Sequence, residues 1–175
     1  MHLRRWAAAL LAAFALVAAG ATPAQAAPRI LYYDASQAQE FVAVVNQGAQ
    51  IWNSKVANVK LQPVPAGRTP NIRVLADNGW PRTQTTSLGN GRWWMGREAV
   101  GDGYYPPRIA AHEFGHILGL PDRRTGLCSD LMSGSSAPVS CQNANPSSAE
   151  IAAVEANFRS AVTTAPQTYV WQLAG

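Results

Sequence analysis

The run His112-Glu113-Phe114-Gly115-His116-Ile117-Leu118-Gly119-Leu120-Pro121-Asp122 sets two imidazoles, a carboxylic acid, a glycine and a second acid at the intervals a catalytic metal ion requires. Residues four apart on a helix lie on one face, so His112 and His116 can offer nitrogen ligands to the same ion. Glu113 sits about 100° further round the helix, aimed past the ion, where a carboxylate can act as base on the water that the metal activates. Gly119 permits the positive φ that ends a helix and turns the chain, which lets Asp122 close the coordination from the other side. Three protein ligands leave a fourth position open, the arrangement of a metal-dependent hydrolase. Shuffling this composition produces the five-residue histidine motif roughly once in a thousand sequences, and its extension by glycine and aspartate roughly a few times per million. With the histidines on one side of the helix, Ala110, Ala111, Phe114, Ile117 and Leu118 fall on the opposite arc and face a core, so the pair is expected on the open side.

The chain has 175 residues and opens with Arg4 and Arg5, an uncharged Ala/Leu-rich run from Trp6 to about Gly20, and Ala24-Gln25-Ala26. That is the pattern of a secretory signal over residues 1–26, cleaved after Ala26, and the apolar run is short for a membrane span. About 149 residues then remain, enough for one domain with its own core over 27–162. Loss of the two leader arginines lowers the formal charge from +4 to about +2. No basic run or stripe is present, which argues against nucleic acid, and no later stretch approaches membrane length. His2 leaves with the leader, so any third ligand must be Asp, Glu or Cys.

Cys128 and Cys141 are the only cysteines, an even pair in an exported chain. A disulfide is the favoured reading, and its loop of about fourteen residues would contribute about 3 kcal/mol. The rival reading, cysteine ligands on zinc, closes the site and leaves Glu113 idle.

The elements that must position these groups read as follows. Ile30–Tyr33 is a first strand ended by Asp34. Ser36 and Gln39 form a capping box for a helix whose apolar stripe, Phe41, Val44, Val45, Ala49 and Trp52, continues to Asn53-Ser54. Val59–Leu61 and Asn71–Leu75 are further strands, separated by a proline-rich connection. Thr83–Leu88, the turn Gly89-Asn90-Gly91 and Arg92–Arg97 form a hairpin, in which Trp93 and Trp94 face opposite ways so that at most one is core. The metal helix begins near Arg108, after breaks at Gly101, Gly103, Pro106 and Pro107. The chain is loop from Asp122 to a second capping box at Ser147/Glu150, which opens a helix with Ile151, Val154, Phe158 and Val162 on one side. Residues 163–175 form a tail of unassigned order. Strands and helices mix without βαβ regularity, which gives an α+β class in one domain.

Taken with Tyr33-Asp34-Ala35-Ser36, Ala49-Gln50-Ile51-Trp52-Asn53-Ser54, the metal helix through Asp122 and Leu131-Met132-Ser133-Gly134, the chain resembles the snapalysin family of small secreted bacterial neutral proteases, in the metzincin clan. The resemblance covers most of the chain after the leader but not the tail beyond about Ala161. It implies a twisted mixed sheet with an active-site helix and a C-terminal helix, one catalytic zinc ion on His112, His116 and Asp122, and Glu113 as general base and acid in peptide-bond hydrolysis. It also implies that Met132 marks the methionine turn beneath the metal, that an extended peptide pairs with an edge strand around Thr83–Leu88, and that the S1′ pocket prefers aromatic residues. The implied partners are extended peptides and proteins outside the cell; a monomer is the default state, and no membrane association is expected after signal cleavage. Two positions depart from the family. Arg124 stands where members carry a tyrosine, and Tyr105-Pro106-Pro107 supplies few side-chain oxygens for the calcium site expected there, so no calcium residues are assigned. A secreted zinc-bearing peptide-binding protein without catalysis needs the same ligands but gives no reason for Glu113.

Overall fold

The computed structural model describes residues 27–159 and a short strand at Val170–Trp171; the leader over residues 1–26, Val162 and the rest of the tail lie outside the described residues. A six-stranded mixed sheet runs in the order β2-β1-β3-β5-β4-β6, built from β1 (Arg29–Gln37), β2 (Val59–Pro63), β3 (Ile72–Asp77), β4 (Arg82–Ser87), β5 (Asn90–Gly96) and β6 (Val170–Trp171). β1 pairs in parallel with both β2 and β3, and β3 with β5, while β4 runs antiparallel to β5 and to β6. The helices are α1 (Val42–Lys55), the short α2 (Arg97–Gly101), α3 (Pro106–Ile117) and α4 (Ser148–Asn157). The α+β class, the mixed sheet, the helix carrying the histidines and a helix near the C-terminal end are all present. One βαβ unit, β1-α1-β2, exists where the sequence showed no such regularity.

The core lies between the sheet and the pair α1 and α3. Leu31, Ile72, Val74, Trp93 and Met95 project from the strands, and Val45, Ala49, Trp52, Ala110, Phe114 and Ile117 from the helices, all essentially inaccessible. Phe114 locks α3 to the sheet through edge-to-face contacts with Trp93 at 5.1 Å and Tyr33 at 5.6 Å. Trp52 does the same for α1, donating its indole N–H to the carbonyl of Ala111 at 2.8 Å. At the crossing of the two helices Gly48 presses on α3: a Cβ there would lie 2.8 Å from Ala110 Cβ and 3.0 Å from the Ala110 carbonyl carbon. The hairpin splits its tryptophans as expected. Trp93 is core, and Trp94 lies on the outer face beneath Arg82, whose guanidinium carbon is 4.3 Å from the ring centroid, with Arg92 at 5.3 Å.

Several expected boundaries shift for identifiable reasons. β1 runs on through Ser36 to Gln37 instead of ending at Asp34, and the capping box at Ser36/Gln39 does not form. Asp34 Oδ1 already accepts the Ser36 N–H at 2.9 Å, Gln39 adopts φ +53°, and its side-chain oxygen accepts from Arg97. A 3₁₀ turn at Gln39–Phe41 then leads into α1. The capping box at Ser147/Glu150 does form, as expected, and α4 ends at Asn157, short of Val162. The breaks before the metal helix enclose the unexpected α2, and α3 starts at Pro106, two residues early, because a proline at the first helical turn gives up no intrahelical donor. Between Asp122 and Ser147 the chain is not all loop, since Leu131–Ser136 forms 3₁₀ turns kinked at Gly134.

Close packing at Gly48 yields a stability prediction. Although alanine is the better helix former, Gly48→Ala is expected to lose about 1–3 kcal/mol of unfolding free energy through overpacking against the α3 backbone. Gln50→Ala, on the exposed face of the same helix, should be neutral or slightly stabilising in the same urea titration.

Candidate metal centre

The end of α3 is built to aim a histidine. After Leu118, Gly119 takes φ +90° and donates to the carbonyl of His116 at 3.0 Å, and Leu120 N–H reaches back to the carbonyl of Gly115 at 3.0 Å. This paired helix stop demands the left-handed conformation that glycine alone adopts without strain. It also turns the carbonyl of Leu120 onto His116 Nδ1 at 2.8 Å. One turn earlier, His112 Nδ1 meets the carbonyl of Leu131 at 3.0 Å. A carbonyl only accepts, so both Nδ1 atoms carry the proton and both Nε2 atoms present lone pairs.

Those lone pairs converge with the carboxylate of Asp122. The Nε2 atoms lie 3.1 Å apart, and Asp122 Oδ1 is 3.2 Å from His112 Nε2 and 3.5 Å from His116 Nε2. Three acceptor atoms at such distances repel unless a cation or a proton sits among them, and Asp122 Oδ1 is buried with no hydrogen-bond partner. A tetrahedral ion with bonds of about 2.0–2.1 Å needs ligand–ligand edges of about 3.3–3.4 Å, so the donor set fits zinc in size and in kind. Among the described residues, these three form the metal-competent cluster of His, Cys, Asp and Glu.

Electrostatics agree. Burial drives His116 down to about 4, assisted by the neighbouring His112. Burial pulls His112 down as well, but the adjacent carboxylates of Asp122 and Glu113 prevail and hold it above its ordinary value. Asp122, against its own burial, is held below the usual carboxylate range by His112, His116 and Arg124. The pocket therefore accommodates positive charge at its centre and resists spreading it over both rings.

Glu113 stands beside this cluster, 1% exposed, and burial pushes its carboxyl up to about 7. Its Oε2 accepts from the Thr83 hydroxyl at 2.7 Å, while Oε1 is buried with no protein partner. One oxygen is thereby fixed to β4 and the other is left for chemistry. Alongside lies a cavity bounded by Trp80, Pro81, Tyr104, Ile109, His112 and Glu113.

The sequence expectation of an open helix face is corrected here. His112 and His116 are 4% and 2% exposed, because the Asp122–Ser136 segment folds over them and α3 is buried along almost its whole length. Met132 is inaccessible and fills the space a side chain at Gly115 would take, its sulfur 2.6 Å from that Cβ position, directly below the turn that joins the two histidines. Cys128 and Cys141 are joined in a disulfide, with a Cα–Cα separation of 5.6 Å, and are not metal ligands. Arg124 adopts φ +48° and brings its guanidinium 3.6 Å from Asp122 Oδ2.

Three functional supports escaped sequence reading. Thr83 carried no signal beyond its place in a strand. Arg108, read only as a helix start, is 6% exposed and donates to the carbonyls of Cys128, Asp130, Leu131 and Asn143, pinning the disulfide loop to α3. Glu150, recognised as a helix cap, also accepts the backbone N–H of Leu131 at 3.2 Å and of Met132 at 2.7 Å. A fully buried carboxylate thus anchors the turn whose carbonyl orients His112.

Two helix-borne histidines, an aspartate from the next loop and a buried glutamate at their side define a metal centre of the H-E-x-x-H class. The chain belongs to the Streptomyces extracellular neutral proteinase (M7) family, whose model matches residues 29–161. It is 42% identical over 132 residues to an extracellular small neutral protease of Streptomyces sp. strain C5, covering 74% of this chain and 56% of that one. It is 38% identical over 125 residues to the extracellular small neutral protease of Streptomyces caespitosus, covering 71% of this chain and 92% of the relative. The namesake from Streptomyces lividans matches at 38% over 130 residues, 74% of this chain and 57% of its own length. The chain thus spans little more than half the length of the first of these relatives. The snapalysin resemblance read from the motifs is borne out at the level of the family.

The dual duty of Glu150 is testable. Glu150→Gln replaces one acceptor oxygen by a donor facing backbone N–H groups and is expected to cost about 1–3 kcal/mol, read from urea midpoints. Glu98→Gln, at an exposed site, should stay within about 0.5 kcal/mol.

Proposed function

We propose that this chain is a secreted zinc endopeptidase that hydrolyses internal peptide bonds of extended protein substrates. The observation that carries the reading is the convergence of two unprotonated imidazole nitrogens and the orphaned Asp122 oxygen at tetrahedral spacing, with the free Oε1 of Glu113 beside them. His112, His116 and Asp122 would hold the ion. Zinc bound there supplies Lewis acidity toward a carbonyl oxygen and lowers the pKa of water.

The protein's own groups do the rest. Glu113 takes the proton of the attacking water on Oε1 and later delivers it to the departing amine, one carboxyl serving both steps. The Thr83 hydroxyl holds Oε2, so that Oε1 keeps its aim during the transfer. The low water access of the cluster strengthens each electrostatic contact inside it. β4 runs beside the metal helix with only the two-residue β6 on its outer side, so most of its length there can pair with an extended peptide, and the adjoining cavity, with Trp80, Tyr104 and Ile109 in its wall, suits an apolar or aromatic side chain next to the scissile bond. Arg124 supplies positive charge beside the ligand aspartate where family members carry a phenol, and it favours the ionised carboxylate.

The family relationship and the relatives' description as extracellular neutral proteases support this reading, as does a leader with basic, apolar and small-x-small sections. The organisation that follows is a signal over 1–26, a catalytic domain over 27–162 and a tail over 163–175, with the mature protein a monomer in the extracellular space. No helix among the described residues is long and apolar enough to cross a membrane.

Glu113→Gln should retain one zinc per chain and lower casein cleavage by at least about 100-fold; equal cleavage by both proteins would overturn the mechanism. Asp122→Ala should lose stoichiometric zinc on dialysis, measured by metal analysis. In the wild type, a chelator should abolish cleavage and lower the melting temperature together, with both restored by added zinc.

A further inference from the structure

α1 and α3 pack on one face of the sheet, and the other face collects arginines. Arg73 on β3 and Arg92 on β5 are direct neighbours in register, and both are exposed. Gln84 of β4 comes next in the same row, and in the following row Trp94 lies beside Arg82. Arg68, from the connection before β3, stacks on Tyr32 of β1 with its guanidinium carbon 4.5 Å from the ring centroid. These four arginines are scattered along the sequence, so no basic run announces them. The acids on this face are Asp34 and Asp77, and the remaining Lys and Arg of residues 27–159 equal the remaining Asp and Glu in number. The formal positive excess of those residues therefore sits here.

Like charges directly opposite one another on adjacent strands are destabilising, and the protein does little to relieve this pair. Arg73 makes no hydrogen bond or close ion pair among the described residues. Asp34, beside it on β1, is taken up by the Ser36 N–H at 2.9 Å, and Asp77 by Arg82 at 2.6 Å. Arg92 gives its Nε to Gln84 Oε1 at 2.8 Å, and its two terminal nitrogens have no partner among the described residues. A guanidinium only donates, so Gln84 must turn its oxygen that way and keep its amide N–H groups as further donors. Between the two arginines lies an open depression, bordered also by Asn71, Gln84, Thr86 and Asn90.

We propose that Arg73 and Arg92 form a docking site for acidic polypeptide segments, by which the enzyme captures protein substrates outside the cleft. The inference rests on the endopeptidase reading above and names a substrate class for it. Each guanidinium presents a fork that one carboxylate fills with two parallel N–H···O bonds. Neighbouring strands are about 4.8 Å apart, and alternate side chains of an extended peptide are about 6.6–6.8 Å apart. Long arginine stems span that difference, so two acids of one segment can neutralise both charges. A nucleic acid fits less well. Two free guanidiniums neutralise few phosphates, and Trp94 lies beneath Arg82 at 4.3 Å, which leaves no open platform for a base.

The docking face and the cleft share a strand. β4 turns Thr83 toward Glu113 and, one residue on, Gln84 toward Arg92. A substrate held at one is thereby kept near the other, and linked sites of this kind see an effective concentration on the order of 1–10 mM. An acidic segment that binds at about 1 mM then lowers KM about two- to tenfold, with kcat unchanged.

The binding arm of the test uses the full chain carrying Glu113→Gln and a fluorescently labelled hexaglutamate peptide, followed by polarisation. Arg73→Gln with Arg92→Gln should weaken binding at least about fivefold, as should about 0.5 M sodium chloride, which screens exposed charges beyond a few ångströms. The kinetic arm uses active enzyme and one fluorogenic peptide, with and without a hexaglutamate tract on a Gly/Ser linker of about ten residues. In the wild type the tract should lower KM about two- to tenfold. The double variant should lose that gain and cleave the plain peptide with kcat and KM within about twofold of wild type.

Equal hexaglutamate binding by both proteins would overturn the site, and a KM gain that survives in the double variant would overturn its role in capture. Tighter binding of hexauridylate than of hexaglutamate would assign the face to nucleic acid instead. A lowered urea midpoint in the double variant would show that the arginines serve the fold, since relief of their repulsion should leave it unchanged or raised. The endopeptidase reading fails separately, by absence of cleavage of the plain peptide, and the binding arm still decides whether acidic segments dock.

Discussion

The structure turns on two buried hydrogen bonds: His112 Nδ1 to the carbonyl of Leu131 and His116 Nδ1 to the carbonyl of Leu120. They place each proton on the outer nitrogen, and so they leave two lone pairs and a carboxylate facing one another across little more than 3 Å. That arrangement is costly when empty of positive charge and becomes favourable once a divalent ion supplies it. Much of the rest of the fold keeps those two carbonyls where they are. Leu120 is held by the paired helix stop at Gly119, and Leu131 by the carboxylate of Glu150 on its N–H and by the guanidinium of Arg108 on its carbonyl.

The segment from Asp122 to Ser147 owes its order to polar partners more than to apolar ones. It contains few large apolar side chains, and its backbone groups find their partners in Arg108, in Glu150, in one another and in the Cys128–Cys141 link. Burial lowers the basicity of Arg108, opposed by Glu150 and Asp130, yet four carbonyls surround the guanidinium. Placing a charge there is tolerable only because its donors are matched by acceptors that must themselves be held. The same ion that the histidines await would tie the start of this segment, through Asp122, to α3.

β4 joins the sheet to the chemistry. Its Thr83 hydroxyl holds one oxygen of the buried Glu113 carboxylate beside the metal ligands.

The sequence by itself determined the spacing of the metal-competent groups and the larger elements. Fixed helical spacing placed His112, Glu113 and His116 relative to one another, glycine marked the stop, and alternation separated buried Trp93 from outer Trp94, because these relations depend only on local backbone geometry. It also carried the capping box of α4, written in four consecutive residues. What it did not contain were relations between distant residues: Thr83 on Glu113, Glu150 on Leu131 and Met132, Arg108 on the disulfide loop, and β6 on β4. The failed capping box at Ser36 belongs with these, since Asp34 and Arg97 claimed its partners. Only the tertiary structure decided them, because hydrogen bonds between residues far apart in the chain form where packing brings donor and acceptor together, and no local pattern encodes that meeting.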